Sequence, residues 1–266
     1  MQLNSIHIYP VKSLGGISLP ASDVTGRGLR HDRRWMLTDP AGRFMTQREI
    51  PAMALLAVDL RGGDLSISHR RKDLPPLLVP AEPEDGRELP VTIWNDTLTA
   101  LRVSTYADAW LSEALGRECV LVYMPDEARR PVDPRYARQD DLVSFADGYP
   151  FLIIGQASLD LLNSKLAEPV PMDRFRPNFV FSGAEAHAED QFGRFRIGSV
   201  AFYGVKPCVR CAVPTIDQQT GVAGKEPIRT LAGYRSTGNK VLFGMNLLCE
   251  EPGTVRVGDR IEAGEN

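Results

Sequence analysis

Short apolar segments separated by turn residues fill the first hundred residues of this 266-residue chain. Two pairs of these segments flank short turns, one at Arg61-Gly62-Gly63-Asp64 and the other at Asn95-Asp96. Gly, Asn and Asp suit the backbone of tight hairpin turns, so both pairs are predicted to be β-hairpins. Strands at this spacing, without intervening helices, favour a mainly β or α+β barrel over alternating βαβ units.

The rest of the chain adds strands and two helices to this pattern. Strands are predicted over residues 3–10, 34–39, 119–123, 151–154, 179–181, 198–205, 241–248 and 255–263. Apolar residues recur at helical spacing over 106–115 and 156–166, and Ser158 is the predicted N-cap of the second helix. Residues 124–141, rich in Pro, Arg and Asp, are predicted to form a long surface connection. The change from helix to strand near residue 118 predicts two domains, 1–118 and 119–266.

Composition and charge exclude several classes of protein. A net charge of −3 argues against a general nucleic-acid binder. The N-terminus lacks the basic and apolar regions of a targeting signal. No apolar run approaches the roughly 20 residues that a membrane helix needs. We therefore predict a cytoplasmic protein with no membrane and no nucleic-acid partner.

The sequence Cys208-Val209-Arg210-Cys211 contains two of the four cysteines. A structural zinc site needs four ligands, and no second Cys or His pair accompanies this one. A thioredoxin-like couple expects a βαβ setting, whereas this motif follows a predicted strand and precedes Pro214. Lys206 and Arg210 favour a thiolate, because nearby cations lower a thiol pKa. Two ordinary loop cysteines remain an alternative.

Three basic segments could bind an anion. Tyr9–Gly16 combines Lys12 with a loop of Pro, Ser and Gly, although it lacks the spacing of a P-loop. Gly28–Trp35, with Thr46-Gln47-Arg48 downstream, is dense in arginine, and Arg174–Phe179 adds arginine and an amide. Each segment alone also fits a solvated turn or a salt-bridged surface.

Taken together and in this order, these segments resemble the MOSC family, named after the molybdenum cofactor sulfurase C-terminal domain. Within that family the chain is similar to the mitochondrial amidoxime-reducing component and to YcbX-type bacterial reductases. The resemblance covers essentially the whole chain. The motifs are Tyr9-Pro10-Val11-Lys12-Ser13, His31-Asp32-Arg33-Arg34-Trp35, Phe175-Arg176-Pro177-Asn178, Cys208-Val209-Arg210-Cys211 with Asp217 and Thr220-Gly221, and a closing strand pair over 251–259.

The resemblance implies a MOSC N-terminal β-barrel domain packed on a MOSC β-barrel domain, and a bound molybdenum cofactor (molybdopterin). Pyridoxal phosphate is not expected. By the position of the motif, Cys211 is the implied metal ligand and catalytic residue, while Cys208 does not occupy the ligand position. The implied cofactor-binding residues are Lys12, Ser13, Arg33, Asp147, Gly148, Arg176, Asn178 and Arg210.

The implied activity is reduction of small N-hydroxylated compounds (amidoximes, hydroxylamines and N-hydroxylated bases) by oxygen-atom abstraction. Because the chain ends at Asn266, directly after the closing strands, electrons are expected to come from a separate flavoprotein, ferredoxin or cytochrome b5-type protein. One alternative is a cofactor carrier or sulfur-transfer protein that uses Cys211 as persulfide or metal ligand. Another is a binding module with a structural C-x-x-C and no metal.

Overall fold

The computed structural model describes residues 1–263, so the last three residues of the predicted second domain, 264–266, lie outside the described part. The first ten strands are β1 (Gln2–Ile8), β2 (Ile17–Leu19), β3 (Ala21–Thr25), β4 (Gly28–Leu29), β5 (Trp35–Thr38), β6 (Leu56–Arg61), β7 (Asp64–His69), β8 (Leu77–Val79), β9 (Glu88–Ile93) and β10 (Asp96–Arg102). The later strands are β11 (Val120–Tyr123), β12 (Phe151–Gly155), β13 (Phe179–Ser182), β14 (Arg194–Ile197), β15 (Val200–Val209), β16 (Ser236–Thr237), β17 (Lys240–Cys249), β18 (Gly253–Arg256) and β19 (Ile261–Ala263). The helices are α1 (Thr105–Leu115), α2 (Gln156–Asn163) and α3 (Ile228–Ala232), and 3-10 turns cover Pro51–Leu55, Met172–Arg174, Ala188–Gln191 and Val213–Thr215.

Both predicted hairpins are confirmed. β6 and β7 pair across Gly62 and Gly63, which both have positive φ, and β9 pairs with β10 across the Trp94-Asn95 turn. The predicted helix over 106–115 is confirmed as α1, whose N-cap Ser104 accepts a hydrogen bond from the Ala107 N–H at 3.1 Å. The mainly β, α+β fold class is therefore as the sequence predicts.

The largest sheet crosses the predicted division at residue 118. Its order is β19-β14-β15-β17-β12-β13-β1-β2, with β16 paired to β17. β1 from the N-terminal region is thus a neighbour of β13, and β12–β13 is a parallel pair. Conversely, β11 lies beyond residue 118 but pairs with β5 and β10 in a four-stranded sheet. Residues 1–118 and 119–263 therefore each contribute a strand that pairs with strands of the other region, which brings their connecting loops together.

Two main hydrophobic cores support these sheets. One surrounds Trp35 and Trp110 and draws its buried residues from positions 11–121. The other is built on Phe151, Phe179 and Phe202, whose rings lie within 5.8 Å of one another, and includes Leu3 of β1. Because β1 contributes to the second core, burial of apolar area holds the two regions against each other.

Two predictions about the second helix and one about residues 124–141 are wrong. Ser158 does not cap α2, which begins after Gly155; buried Ser158 instead donates to the Glu189 carboxylate at 2.9 Å. α2 also ends at Asn163, short of residue 166. Residues 124–141 are not purely a surface connection, because Arg130 and Val132 within them are buried.

The predicted strand over 255–263 is interrupted, and the predicted closing strand pair does not form. β18 pairs with β3, whereas β19 pairs with β14. Gly258, at φ +96°, lies between them, and its N–H donates to Leu3 O at 2.8 Å. This left-handed turn redirects the chain from one sheet to the next.

No helix within residues 1–263 has the length and apolar character needed to cross a membrane.

Candidate functional site

One cavity brings together all the predicted site residues, from five separate stretches of chain. They are Lys12, Ser13, Arg33, Asp147, Gly148, Arg176, Asn178, Arg210 and Cys211. Cys208 and Arg48 also line it. The five stretches lie after β1, before β5, before β12, before β13 and after β15. They meet at one point because strands distant in sequence are neighbours in the sheets.

Three of these residues have a left-handed backbone. The φ angles are +67° for Ser13, +50° for Arg33 and +56° for Arg176. Such angles are uncommon for residues other than glycine and cost on the order of 1–3 kcal/mol each. Strain of this kind persists where surrounding contacts enforce it, and it clusters at functional sites. Its concentration around one cavity supports a binding role for these three loops.

Lys12 is a buried cation in the cavity wall. Its Nζ donates to Phe145 O at 2.8 Å and to the Asp147 carboxylate at 2.6 Å. Burial lowers the Lys12 pKa to about 8, against the opposing attraction of Asp147. Burial alone would raise the pKa of Asp147, but Lys12 and Arg48 outweigh it and hold that pKa far below its usual range. Asp147 is therefore a carboxylate at neutral pH.

Tyr9 lies between two arginines of the cavity wall. The guanidinium carbons of Arg33 and Arg176 are each 4.2 Å from the centre of the Tyr9 ring. Arg33 is neutralised by buried Asp32 at 2.5 Å. Arg176 donates to Leu14 O at 2.7 Å and, in the described part of the chain, has no carboxylate within ion-pair distance. Burial, with the neighbouring charge of Arg33, lowers its pKa to about 10, so it stays cationic at neutral pH.

Asn178 reaches the cavity with its amide group already engaged. Its Nδ2 donates to His7 O and to the Asp32 carboxylate, both at 3.1 Å, and its Oδ1 accepts from the Leu152 N–H at 3.2 Å. The side chain is 2% exposed. The amide holds the strand ends and Asp32 in place, and Asp32 in turn orients Arg33.

The strand before the C-x-x-C sequence was predicted to end at residue 205. This prediction is wrong, because β15 continues to Val209 and so includes Cys208. β15 shifts register twice against β17, between Gly204 and Lys206 and again between Pro207 and Val209. Bulges of this kind bend a strand and change the direction of its side chains. They carry the cysteine motif from the sheet into the cavity wall.

Arg210 organises the motif. Its Nη1 contacts Cys208 Sγ at 3.1 Å, its Nη2 donates to Phe175 O at 2.7 Å, and its buried Nε has no partner within residues 1–263. Cys211 is a half-buried free thiol that lines the cavity. The two cysteines therefore differ in setting, since Arg210 contacts Cys208, whereas Cys211 lines the cavity together with Arg48.

Arg48 is the main site residue that the sequence prediction omitted. Its Nη2 donates to the Asp147 carboxylate at 2.5 Å. Burial would lower the Arg48 pKa, but Asp147 and the Cys211 sulfur outweigh it and raise that pKa. The arginine density of Thr46-Gln47-Arg48 was visible in the sequence, but its proximity to Cys211 was not. With Arg48 included, the residues lining the cavity comprise five cations and one carboxylate.

Comparison with known proteins identifies the family. The family model described as MOSC N-terminal beta barrel domain matches residues 1–118, and the model described as MOSC domain matches residues 140–262. The chain belongs to the MOSC family. Five of the residues that line the cavity of this MOSC chain, namely Lys12, Ser13, Arg33, Arg48 and Cys211, come from both matched regions, so the cavity lies between them.

Curated relatives extend over nearly the whole MOSC chain. It is 34% identical to mitochondrial amidoxime-reducing component 1 of Mus musculus, over 96% of this chain and 79% of the relative. Mitochondrial amidoxime-reducing component 1 of Homo sapiens is 32% identical, over 96% of this chain and 80% of the relative. Molybdenum cofactor sulfurase of Oryza sativa subsp. japonica is 32% identical over 94% of this chain, which spans 33% of that protein.

Proposed function

We propose that this MOSC chain is a molybdenum cofactor-dependent oxidoreductase that reduces N-hydroxylated compounds. The observation that carries the proposal is the convergence on one cavity of a free cysteine, five cations and three strained loops. Relatives named amidoxime-reducing component support the reaction, since they match 96% of the chain at 32–34% identity.

The cavity fits a pyranopterin with a phosphate and a thiophilic metal. Within residues 1–263, Arg176 has no carboxylate within ion-pair distance and the buried Nε of Arg210 has no hydrogen-bond partner, so both have capacity to bind an anion. Lys12, Ser13 and Arg33 would hold the same group from the N-terminal region. Within residues 1–263 no cluster of three or more His, Cys, Asp or Glu could hold a metal. A metal on Cys211 would therefore take its other ligands from the cofactor, as a dithiolene provides.

The protein would position the reactants, and the cofactor when bound would supply two-electron oxygen-atom chemistry. Cleavage of an N–O bond consumes two electrons and two protons and yields the N–H product and water. Cys211 would anchor the metal by its sulfur, a suitable soft donor. Arg48 would hold Asp147 in the cavity wall, and the buried cations would neutralise the phosphate.

We further propose a cytoplasmic protein that receives its electrons from a separate flavoprotein, ferredoxin or cytochrome b5-type protein. An iron–sulfur cluster of its own would need about four closely set cysteines. Here Cys119 is buried beside Ser112, and Cys249 lies against Thr25 O, so neither joins the motif at residues 208–211. Reduction with and without each class of donor tests this assignment.

Elemental analysis tests the proposed function most directly. Protein purified from cells that make the cofactor should contain about one molybdenum per chain and reduce benzamidoxime with a chemical reductant. Cys211→Ser should lose the metal, whereas Cys249→Ser, a thiol outside the cavity, should keep it. Metal-free wild-type protein from such cells would refute the proposal.

The sulfurase relative favours a second candidate, a carrier or sulfur-transfer protein that uses Cys211 as persulfide or metal ligand. The two candidates differ in turnover. Full molybdenum occupancy without reduction of amidoximes or hydroxylamines would favour the carrier. A persulfide on Cys211, seen by intact-mass measurement and lost in Cys211→Ser, would favour sulfur transfer.

A further inference from the structure

Trp94 occupies an unusual position at the tip of the β9–β10 hairpin. Its φ is +55°, although a bulky residue in the left-handed region is a conformational outlier, and Asn or Gly is usual in such turns. The side chain is nevertheless 45% exposed. Burial of the indole therefore does not account for tryptophan at this strained position.

The hairpin tip is fixed to the rim of the cavity by Arg130. Asp96, two residues after Trp94, accepts from Arg130 Nε at 2.7 Å. The same guanidinium donates to the carbonyls of Ser144, Ala146 and Asp147 at 2.8, 2.5 and 3.1 Å. The segment that carries Asp147 into the cavity wall is thus held directly against the hairpin.

The indole itself contacts Arg48 of the cavity wall and the neighbouring Phe44. The Arg48 guanidinium lies 4.8 Å from the Trp94 ring centre, and the Phe44 ring lies 4.9 Å away. Lys12 Nζ lies 5.6 Å from the Phe44 ring. Since Lys12 and Arg48 share the Asp147 carboxylate, these five side chains form a closed ring of contacts. Trp94, at 45%, and Asp147, whose side chain is 54% exposed, are the exposed members of this ring, and Trp94 is its exposed aromatic face.

We propose that the exposed surface of Trp94 is a substrate subsite at the cavity rim, which stacks on the planar aromatic part of an N-hydroxylated compound. The Arg48 guanidinium contacts the indole, and Arg48 lines the same cavity as Cys211, so the subsite adjoins the cavity that contains the thiol. Aromatic rings stack well on tryptophan because the pairing is dispersive and tolerant of substituents. The subsite deepens the proposed function and depends on it for the identity of its ligand.

The subsite makes the Michaelis constant depend on the aromatic part of the substrate. With holoenzyme and a chemical reductant, Trp94→Asn should raise KM for benzamidoxime about tenfold, within the range of stacking interactions. KM for acetamidoxime, which has no ring, should not change. Asn tolerates the left-handed turn, so this variant should fold. Trp94→Phe should keep most of the benzamidoxime affinity, and Tyr106→Ala, an exposed aromatic on α1, is the matched control.

Binding of the product gives a readout that does not need turnover. Benzamidine should quench the tryptophan fluorescence of the holoenzyme, and Trp94→Phe should abolish the quenching, since Trp35 and Trp110 are buried. Equal changes in KM for both amidoximes, or no change, would overturn the subsite. So would a Trp94 effect confined to the KM for a protein electron donor, because the surface would then be a docking site. A molybdenum-loaded wild type that reduces neither compound but still shows Trp94-dependent quenching would refute the proposed reaction and leave the subsite intact.

Discussion

Replacing Lys12 by methionine should stabilise the metal-free protein while removing a cation from the cavity. Lys12 is 5% exposed and keeps its charge at neutral pH at the expense of stability. Methionine has similar length, no charge and enough flexibility to fill the same space. The variant thus separates the cost of burying the ammonium group from the packing of its stem.

The magnitude follows from the lowered pKa. A fall from 10.5 to about 8 corresponds to about 3 kcal/mol of destabilisation at pH 7, with the attraction of Asp147 already included. Methionine leaves the Phe145 carbonyl without its donor, which costs about 1–2 kcal/mol. The net gain is about 1–2 kcal/mol, or roughly 2–4 °C in Tm for a chain of this size.

Thermal and urea unfolding of wild type and Lys12→Met at pH 7 and pH 10 test this predicted gain in unfolding free energy. The penalty in the wild type is complete below pH 8 and is relieved as pH rises from about 8 towards 10.5, because the unfolded chain then binds more protons than the folded chain. The stability difference should therefore shrink towards zero or reverse at pH 10. A variant less stable than wild type at pH 7, or a difference independent of pH, would refute the reasoning.

Three further predictions concern the same architecture. Arg130→Met removes a buried cation with four partners and should lower the free energy of unfolding in urea by about 3–5 kcal/mol. Arg129→Met, at an exposed arginine, should lower it by less than about 1 kcal/mol. Similar losses in the two variants would contradict the anchoring of the hairpin by Arg130. Gly204→Ala places a Cβ 2.0 Å from Phe192 O and should lower Tm by several degrees, but Gly26→Ala, with open space, should not. Inorganic phosphate should stabilise the metal-free wild type against unfolding less as pH rises above about 8, because its affinity should fall by up to about tenfold per pH unit once Lys12 loses its proton. Lys12→Arg should abolish this dependence between pH 7 and 9. An unchanged slope of affinity against pH in this variant would exclude Lys12 as the titrating group.

The turns and the motifs were predictable because they depend on neighbours in sequence. Gly62 and Gly63 allow the left-handed turn of the β6–β7 hairpin, and Ser104 caps α1. The failure at Ser158 has the opposite origin. Its hydroxyl can cap a helix locally, but burial beside Glu189 offers a charged acceptor 31 residues away, and that contact prevails.

The same distinction applies to the cavity. The resemblance to the MOSC family, carried by the motifs and their order, implied that Lys12, Ser13, Arg33, Arg176 and Cys211 belong to one site. It did not identify Arg48, whose contacts with Asp147 arise because Lys12 and Arg48 converge on one carboxylate. It also gave no reason to join Trp94 to the site, since the hairpin tip reaches the rim through Arg130.

By itself, the sequence determined the fold class, the hairpins, the first helix, and which short segments carry cations and thiols, because turn chemistry, alternation and motif spacing act over a few residues. Only the tertiary structure decided how those segments meet. β1 pairs with β13, β11 pairs with β5, and two bulges near the end of β15 place Cys208 and Arg210 in the cavity wall. Hydrogen-bond pairing and burial between distant strands set these contacts, and no local pattern encodes them.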